Sequence, residues 1–152
     1  MSKEILHERT HVMKKILLIL LLTGSLFAAE IDDYAKEMSF YRDYDLALVE
    51  AKQSNKPIML VIVADYCPWC RKLERRTLAS SEIKARLYEV VSVIMDQKYD
   101  ADRFPKMFLT PRKPTVFFIN PNTGEHFYES IGYVKKDEFA DSLDEVKKEF
   151  KQ

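Results

Sequence analysis

The chain has 152 residues, with 24 basic and 24 acidic side chains, so its formal net charge at pH 7 is zero. This length is typical of one domain, and a hydrophobic fraction of 47% is enough to build an ordinary core. No block of basic residues could follow a phosphate backbone, so we expect no nucleic-acid partner.

The N-terminal residues have the pattern of a secretory signal peptide. Two lysines precede the apolar run Ile16–Leu22, and small residues follow up to Ala29. The run is shorter than the roughly 20 residues that a membrane span needs, and it ends in residues suited to cleavage. We therefore expect a periplasmic protein rather than a membrane-anchored one, with Met13 as an alternative translation start. The predicted organisation is a signal peptide at 1–29, a lead-in at 30–43 and one domain at 44–152.

The predicted domain begins with a helix, a strand and a second helix. The first helix runs from Asp43 or Tyr44 to Ser54, and one of its faces is marked by Leu46, Val49 and Gln53. The continuous apolar run Ile58–Ala64 is rich in β-branched residues, which predicts a central strand covered on both faces. Cys67 would then be the N-cap of the next helix. Pro68 falls at its first position, where a missing N–H costs nothing.

The elements that follow are shorter and are separated by polar residues. Ser80 or Ser81 can cap a helical piece that runs through Tyr88. Val90–Met95 is a second predicted buried strand. We expect residues Lys98–Arg112 to be mainly loop, with one helical turn.

A hairpin and a helix are predicted at the end of the chain. Thr115–Ile119 and Glu125–Ile131 read as antiparallel strands around the turn Asn120–Gly124. Gly132 ends the second strand, and Asp137 is the predicted cap of the last helix. Apolar residues follow that helix at i, i+4, i+7 and i+11, namely Phe139, Leu143, Val146 and Phe150.

The two cysteines of the chain, Cys67 and Cys70, lie at the predicted junction of strand and helix. Unpaired N–H groups and the helix dipole favour a thiolate at a helix N-terminus, and a sulfur about one turn further on can close a disulfide. We interpret them as a redox pair, with Cys67 as the nucleophile and Cys70 as the resolving residue. A structural disulfide and a metal site are the alternatives. No third ligand is evident for a metal, and a structural disulfide gains little by closing so short a loop.

The order of elements, with Cys-Pro-Trp-Cys at a helix start, Lys113-Pro114-Thr115 before a strand and Gly132 after the hairpin, resembles the thioredoxin fold. The segment Ala64–Glu74 is most similar to exported thioredoxin-like proteins of the SoxW type and to the C-terminal domain of DsbD. The resemblance implies an α/β fold with a central mixed β-sheet of about four to five strands, flanked by helices on both faces. It also implies a thiol-disulfide oxidoreductase without a bound cofactor or metal.

The same resemblance favours a disulfide reductase and indicates its partners. Electrons would come from a membrane thiol transporter and pass to exported proteins with disulfides or to apocytochromes. We expect a monomer. Three alternatives stay open: a copper or other soft-metal binding module, a non-catalytic adaptor with a permanent disulfide, and a thiol oxidase of DsbA-like direction. The last is kept because a proline follows the first cysteine in oxidants and reductants alike.

Pro114 resembles the cis-proline that faces the cysteine motif across the active site of thioredoxins. Lys113, Pro114 and Thr115 are therefore expected to contact substrate. Trp69 and Tyr66 are expected beside the same groove, with Trp69 either exposed to partners or folded back on its own helix.

Two positions depart from the thioredoxin pattern. Lys113 stands where an apolar residue or threonine is usual, and it would place a cation near the Cys67 thiolate unless it points into solvent. Val61 stands where thioredoxin has a buried aspartate, so Cys70 must lose its proton to water or to another acceptor. The candidate acceptors are Asp65 and Glu74. We expect Arg71 and Lys72 to form a solvated face and His126 to lie on the surface.

Overall fold

The computed structural model describes residues 9, 11, 13–15 and 30–151. The chain divides into two compact units, Met1–Asp33 and Tyr34–Gln152, and the architecture below is that of the second unit. The predicted signal peptide at 1–29 lies outside the described residues apart from a few isolated positions, so it stays a prediction. Within the described part of the chain, no helix is long and apolar enough to span a bilayer.

Four strands form one mixed sheet. In chain order they are β1 (Ile58–Val63), β2 (Val91–Asp96), β3 (Thr115–Ile119) and β4 (His126–Ile131). Their spatial order is β2-β1-β3-β4, with β1 parallel to β2 and antiparallel to β3, and β3 antiparallel to β4. This sheet, with its flanking helices, confirms the predicted α/β thioredoxin fold.

The helices are α1 (residues 30–38, of which 34–38 belong to this unit), α2 (Tyr44–Ser54), α3 (Pro68–Lys72), α4 (Ser81–Lys84) and α5 (Lys136–Phe150). Strand β1 lies between β2 and β3, and all six of its residues are buried, as its apolar run predicts. Alternate residues of the sheet face opposite layers. One face of the sheet packs against Ala47 and Ala51 of α2. On the other face, Phe118 of β3 contacts Phe139 of α5, with ring centroids 6.3 Å apart.

Helix α2 buries a different face from the one that its large apolar residues suggest. It begins where the Asp43 carboxylate accepts a hydrogen bond from the Leu46 N–H at 2.9 Å. Leu46 and Val49 are exposed, whereas the small side chains of Ala47 and Ala51 are fully buried. Small residues allow the helix axis to lie close to the sheet, so packing distance outweighs side-chain hydrophobicity here.

The boundaries of the later helices differ from the sequence predictions. Helix α4 ends at Lys84 and is followed by a 3₁₀ turn, Leu87–Glu89, rather than continuing to Tyr88. Helix α5 has its N-cap at Lys135, two residues before the predicted Asp137, because the Glu138 carboxylate accepts a hydrogen bond from the Lys135 N–H at 3.2 Å. The single turn expected between β2 and β3 is the 3₁₀ turn Lys106–Phe108.

Candidate active site

Cys67 and Cys70 form a disulfide with their Cα atoms 5.2 Å apart. Cys67 is the N-cap of α3, and its Sγ accepts a hydrogen bond from the Cys70 N–H at 3.2 Å. Pro68 occupies the first helical position, as predicted. Cys67 is half-buried and Cys70 is only 1% exposed, so Cys67 is the sulfur that a partner molecule can reach.

A π-helical segment, Leu73–Leu78, continues α3 and was not predicted from the sequence. The Ala79 N–H donates to the Glu74 carbonyl oxygen at 3.0 Å, the i to i−5 pattern of a π-helix. In the same segment the buried Thr77 hydroxyl donates to the Val134 carbonyl oxygen at 2.6 Å. This hydrogen bond ties the cysteine-bearing helix to the chain that follows β4.

Trp69 packs against a tyrosine that the sequence reasoning missed. Its ring lies 6.1 Å from the ring of Tyr133, and the Lys72 ammonium lies 4.9 Å from the Trp69 centroid and 4.4 Å from the Tyr133 centroid. Trp69 is still 56% exposed, so a large part of its ring stays accessible to solvent. Lys72 is exposed, as expected of a solvated residue, but its ammonium is held over two rings. The only sequence signal for Tyr133 was its place directly after the strand-ending Gly132.

The loop before β3 lies at the same end of the sheet as the cysteines. Thr115 pairs with Ile62 near the end of β1 that leads to Cys67. The Lys113–Pro114 peptide bond is cis, and the Pro114 carbonyl oxygen accepts a hydrogen bond from the Gly132 N–H at 2.7 Å.

The three predicted contact residues of this loop are buried to different degrees. Lys113 is half-buried and Pro114 is buried. Thr115 is fully buried and donates from its hydroxyl to the Arg112 carbonyl oxygen at 2.7 Å. The Thr115 side chain therefore braces the loop and does not face the surface where a substrate contact was predicted.

Tyr66 and Asp65 lead directly into the cysteine motif. Tyr66 is 77% exposed, and its φ of 53° lies in the left-handed region, which is unusual for a bulky residue. The Asp65 side chain is 8% exposed, and its Oδ2 accepts a hydrogen bond from the Tyr99 hydroxyl at 3.2 Å. Its Oδ1 is buried without a hydrogen-bond partner among the residues described. The Lys98 ammonium donates a hydrogen bond to the Tyr99 hydroxyl at 3.1 Å, and this bond, with the charge of Asp65, raises the pKa of Lys98 above its ordinary value.

The second candidate acceptor, Glu74, is buried in the π-helical segment that continues α3. Its Oε2 lies 3.2 Å from an Arg71 guanidinium nitrogen, and its backbone carbonyl accepts a hydrogen bond from the Tyr34 hydroxyl at 3.2 Å. Burial, together with the charge of Glu74, raises the pKa of Tyr34 well above its ordinary value. Val61, by contrast, is fully buried between Ile94 and Val116.

Two further predictions concern metal ligands and His126. In the part of the chain that the structure describes, no group of three or more His, Cys, Asp or Glu side chains could hold a metal ion. His126 is exposed and pairs with Ile119, at the opposite end of the hairpin from Thr115. The prediction of a surface histidine is therefore confirmed.

An accessible cysteine at a helix N-cap, disulfide-bonded to a buried one and supported by this mixed sheet, is the arrangement of a thioredoxin-like thiol-disulfide oxidoreductase. The chain belongs to the thioredoxin-like domain family, whose model matches residues 44–147. The resemblance found in the sequence is thereby confirmed at the level of the family.

Individual relatives agree with this assignment. The chain is 28% identical over 104 residues to the thiol:disulfide interchange protein DsbD of Ralstonia nicotianae, a match that covers 66% of the chain but only 17% of that protein. The structure is similar to a thioredoxin from Thermus thermophilus, with a TM-score of 0.62, 21% identity and coverage of 70% and 85% of the two chains. It is also similar to the oxidised C-terminal domain of Neisseria meningitidis DsbD, with a TM-score of 0.57, 20% identity and coverage of 70% and 98%. At these identities the two structures support the fold alone.

Proposed function

We propose that the protein is a periplasmic disulfide reductase that exchanges electrons through Cys67 and Cys70. The observation that carries the proposal is the asymmetry of the two sulfurs. Cys67 is accessible and sits at a helix N-cap, where the Cys70 N–H would stabilise a thiolate, whereas Cys70 is buried. Attack by one sulfur followed by resolution by the other requires this difference.

The reaction begins from the reduced dithiol. The Cys67 thiolate attacks one sulfur of a client disulfide, the client S–S bond breaks, and the other client sulfur leaves as a thiolate that takes up a proton. Cys70 then loses its proton and attacks the Cys67 sulfur. This breaks the mixed disulfide, releases the second client sulfur and forms the Cys67–Cys70 disulfide. Two electrons pass to the client, and both of its sulfurs take up a proton. The protein gives up only the proton of Cys70, because Cys67 starts as a thiolate, so the second proton comes from solvent. An external dithiol must then reduce the protein again.

Asp65 is the acceptor that we propose for the proton of Cys70. It lies two residues before Cys67 on the same loop, and its Oδ1 is buried and unpartnered among the residues described. Glu74 is the weaker candidate because its carboxylate is paired with Arg71. An Asp65→Asn variant is expected to slow resolution of the mixed disulfide and leave its formation nearly unchanged. An Asp65→Asn protein that resolves at the wild-type rate would remove this role.

The reducing direction and the location rest on the sequence. The N-terminal pattern of a signal peptide supports export, and the similarity to DsbD supports exchange with other exported proteins. A membrane thiol transporter is the proposed electron donor, and exported proteins with disulfides or apocytochromes are the proposed clients.

The test is a trapping experiment with Cys70→Ser. This variant can form the mixed disulfide through Cys67 but cannot resolve it, so we expect adducts with exported proteins that a reducing agent releases. Cys67→Ser is the matched control, because it keeps one cysteine of the motif but removes the accessible one. No adducts with Cys70→Ser, or equal adducts with both variants, would contradict the proposed mechanism. Stoichiometric metal retained by the wild-type protein without any exchange activity would favour the metal-binding alternative instead.

A further inference from the structure

The surface around the cysteine pair is positively charged, although the chain as a whole is neutral. We define the redox face as residues 64–72, 97–99, 109–115 and 132–133. These segments contain one carboxylate, that of Asp65, and five cationic side chains: Arg71, Lys72, Lys98, Arg112 and Lys113.

Hydrogen bonds join the segments of the redox face into one surface. The Gln97 N–H donates to the Val63 carbonyl oxygen at 3.0 Å, and the Gln97 side-chain oxygen accepts from the Thr110 N–H at 2.8 Å. On the other side of the redox face, residues 132–133 are joined to the loop before β3 by the hydrogen bond from the Gly132 N–H to the Pro114 carbonyl oxygen. They are joined to the cysteine helix by the ring contact of Tyr133 with Trp69. The segments that carry the cations are therefore joined to the segment that carries the accessible sulfur.

Two of the five cations are compensated by neighbouring carboxylates. Arg71 is paired with the buried Glu74 at 3.2 Å, and the Lys98 ammonium lies 3.8 Å from Asp65. Lys72 and Arg112, which are exposed, and the half-buried Lys113 carry the remaining positive charge. The Thr110 hydroxyl lies 3.3 Å from the Arg112 backbone N–H and accepts its hydrogen bond, which orders the loop.

Large apolar side chains are exposed between these cations. Besides Tyr66 and Trp69, they include Tyr99, which is 48% exposed, and Leu109, which is 42% exposed. An apolar centre with a charged rim is the anatomy of a protein-binding surface, in which the centre supplies affinity and the rim selects the partner.

On the basis of the proposed function, we propose that the redox face selects client disulfides that are flanked by acidic residues. Carboxylates close to the client cysteine would approach Lys72, Arg112 and Lys113, while apolar client residues pack against Trp69. Basic flanks would meet like charge at the same positions. Complementary charge of this kind acts mainly on the rate of encounter and is weakened by salt.

The test uses two synthetic peptides, each with one intramolecular disulfide, that differ only in acidic or basic residues beside the cysteines. The fully reduced wild-type protein is mixed with each peptide, and oxidation is followed by the fluorescence of Trp69, the single tryptophan. Each rate constant is divided by that of dithiothreitol with the same peptide, which corrects for intrinsic reactivity. We expect a preference of about tenfold for the acidic peptide at low salt, falling to about twofold or less in 0.5 M salt.

Charge variants locate the effect on the redox face. Lys72→Gln, Arg112→Gln and Lys113→Gln are each expected to lower the ratio of the acidic-peptide rate to the basic-peptide rate by about two- to threefold. Lys52→Gln, on the exposed side of α2, is the matched control and is expected to leave the preference unchanged.

The possible outcomes separate the two proposals. Equal corrected rates for the two peptides, or a preference that the three variants leave intact, would overturn the docking inference while the reductase stands. Failure to reduce either peptide would overturn both.

Discussion

Replacing Thr77 by valine tests whether the cysteine-bearing helix is anchored to the chain after β4. Valine has nearly the same shape as threonine but cannot donate the 2.6 Å hydrogen bond to the Val134 carbonyl oxygen. A hydrogen bond contributes about 1 kcal/mol net, and leaving a partly buried carbonyl without its donor costs about 1 kcal/mol more. We expect Thr77→Val to lower the free energy of unfolding by about 1.5 to 2 kcal/mol and Tm by about 8 °C.

The assays are urea unfolding for the free energy and thermal unfolding for Tm, both followed by circular dichroism, with Thr77→Ser as the matched control. Serine keeps the hydroxyl and loses one methyl group, which costs about 1 kcal/mol. Because Val134 follows Tyr133, Thr77→Val is also expected to shift Trp69 emission to longer wavelength as the ring contact loosens. A Thr77→Val protein as stable as wild type, or one more stable than Thr77→Ser, would refute the reasoning.

Substitutions at three further positions test other parts of the fold. Tyr34→Phe removes the hydrogen bond to Glu74 and is expected to cost about 1 kcal/mol at pH 7. Because burial raises the pKa of Tyr34, the stability that its neutral hydroxyl contributes is fully present below about pH 10 and is lost as pH rises further. Urea unfolding at pH 9 and at pH 11 is therefore expected to show a smaller drop in the free energy of unfolding for Tyr34→Phe than for wild type. Val61→Asp places an unpaired carboxyl in the centre of β1 and is expected to lower the free energy of unfolding by at least about 3 kcal/mol at pH 7. The loss is expected to be smaller at pH 4, where the carboxyl is protonated. Equal losses at the two pH values would contradict this. Asn55 ends α2 at a φ of 52°, in the left-handed region that glycine adopts without strain. Thermal unfolding is expected to show a loss of stability of about 1 kcal/mol for Asn55→Ala and almost none for Asn55→Gly. Equal losses for the two variants would be inconsistent with backbone strain at this position.

Local patterns predicted the central strand and the cap of the cysteine helix. The apolar run Ile58–Val63, which is rich in β-branched residues, favours a buried strand. A proline one residue after Cys67 marks the first turn of a helix. These features depend on neighbours in the sequence, so the sequence is enough to place them.

The remaining features of the site depend on residues that are distant in the chain. Tyr133 meets Trp69 because the hydrogen bond from Thr77 to Val134 ties the chain after β4 to the cysteine helix. The hydrogen bond from Gly132 to Pro114 ties the same chain to the loop before β3, and no periodicity in the sequence predicts such contacts. The π-helical segment Leu73–Leu78 likewise has no composition that separates it from an α-helix. The sequence did not predict the buried face of α2, because Leu46 and Val49 are larger and more hydrophobic than Ala47 and Ala51. The structure nevertheless exposes Leu46 and Val49 and packs the two alanines against the sheet.

The reduction potential of the cysteine pair tests the central claim most directly. The protein can be equilibrated in thiol-disulfide buffers of defined potential, and the emission of Trp69 between the two sulfurs reports the reduced fraction without a label. A reductase predicts a two-electron transition near that of thioredoxin, at about −270 mV. A transition near about −120 mV would identify an oxidant of DsbA-like direction, and no transition across this range would identify a permanent disulfide.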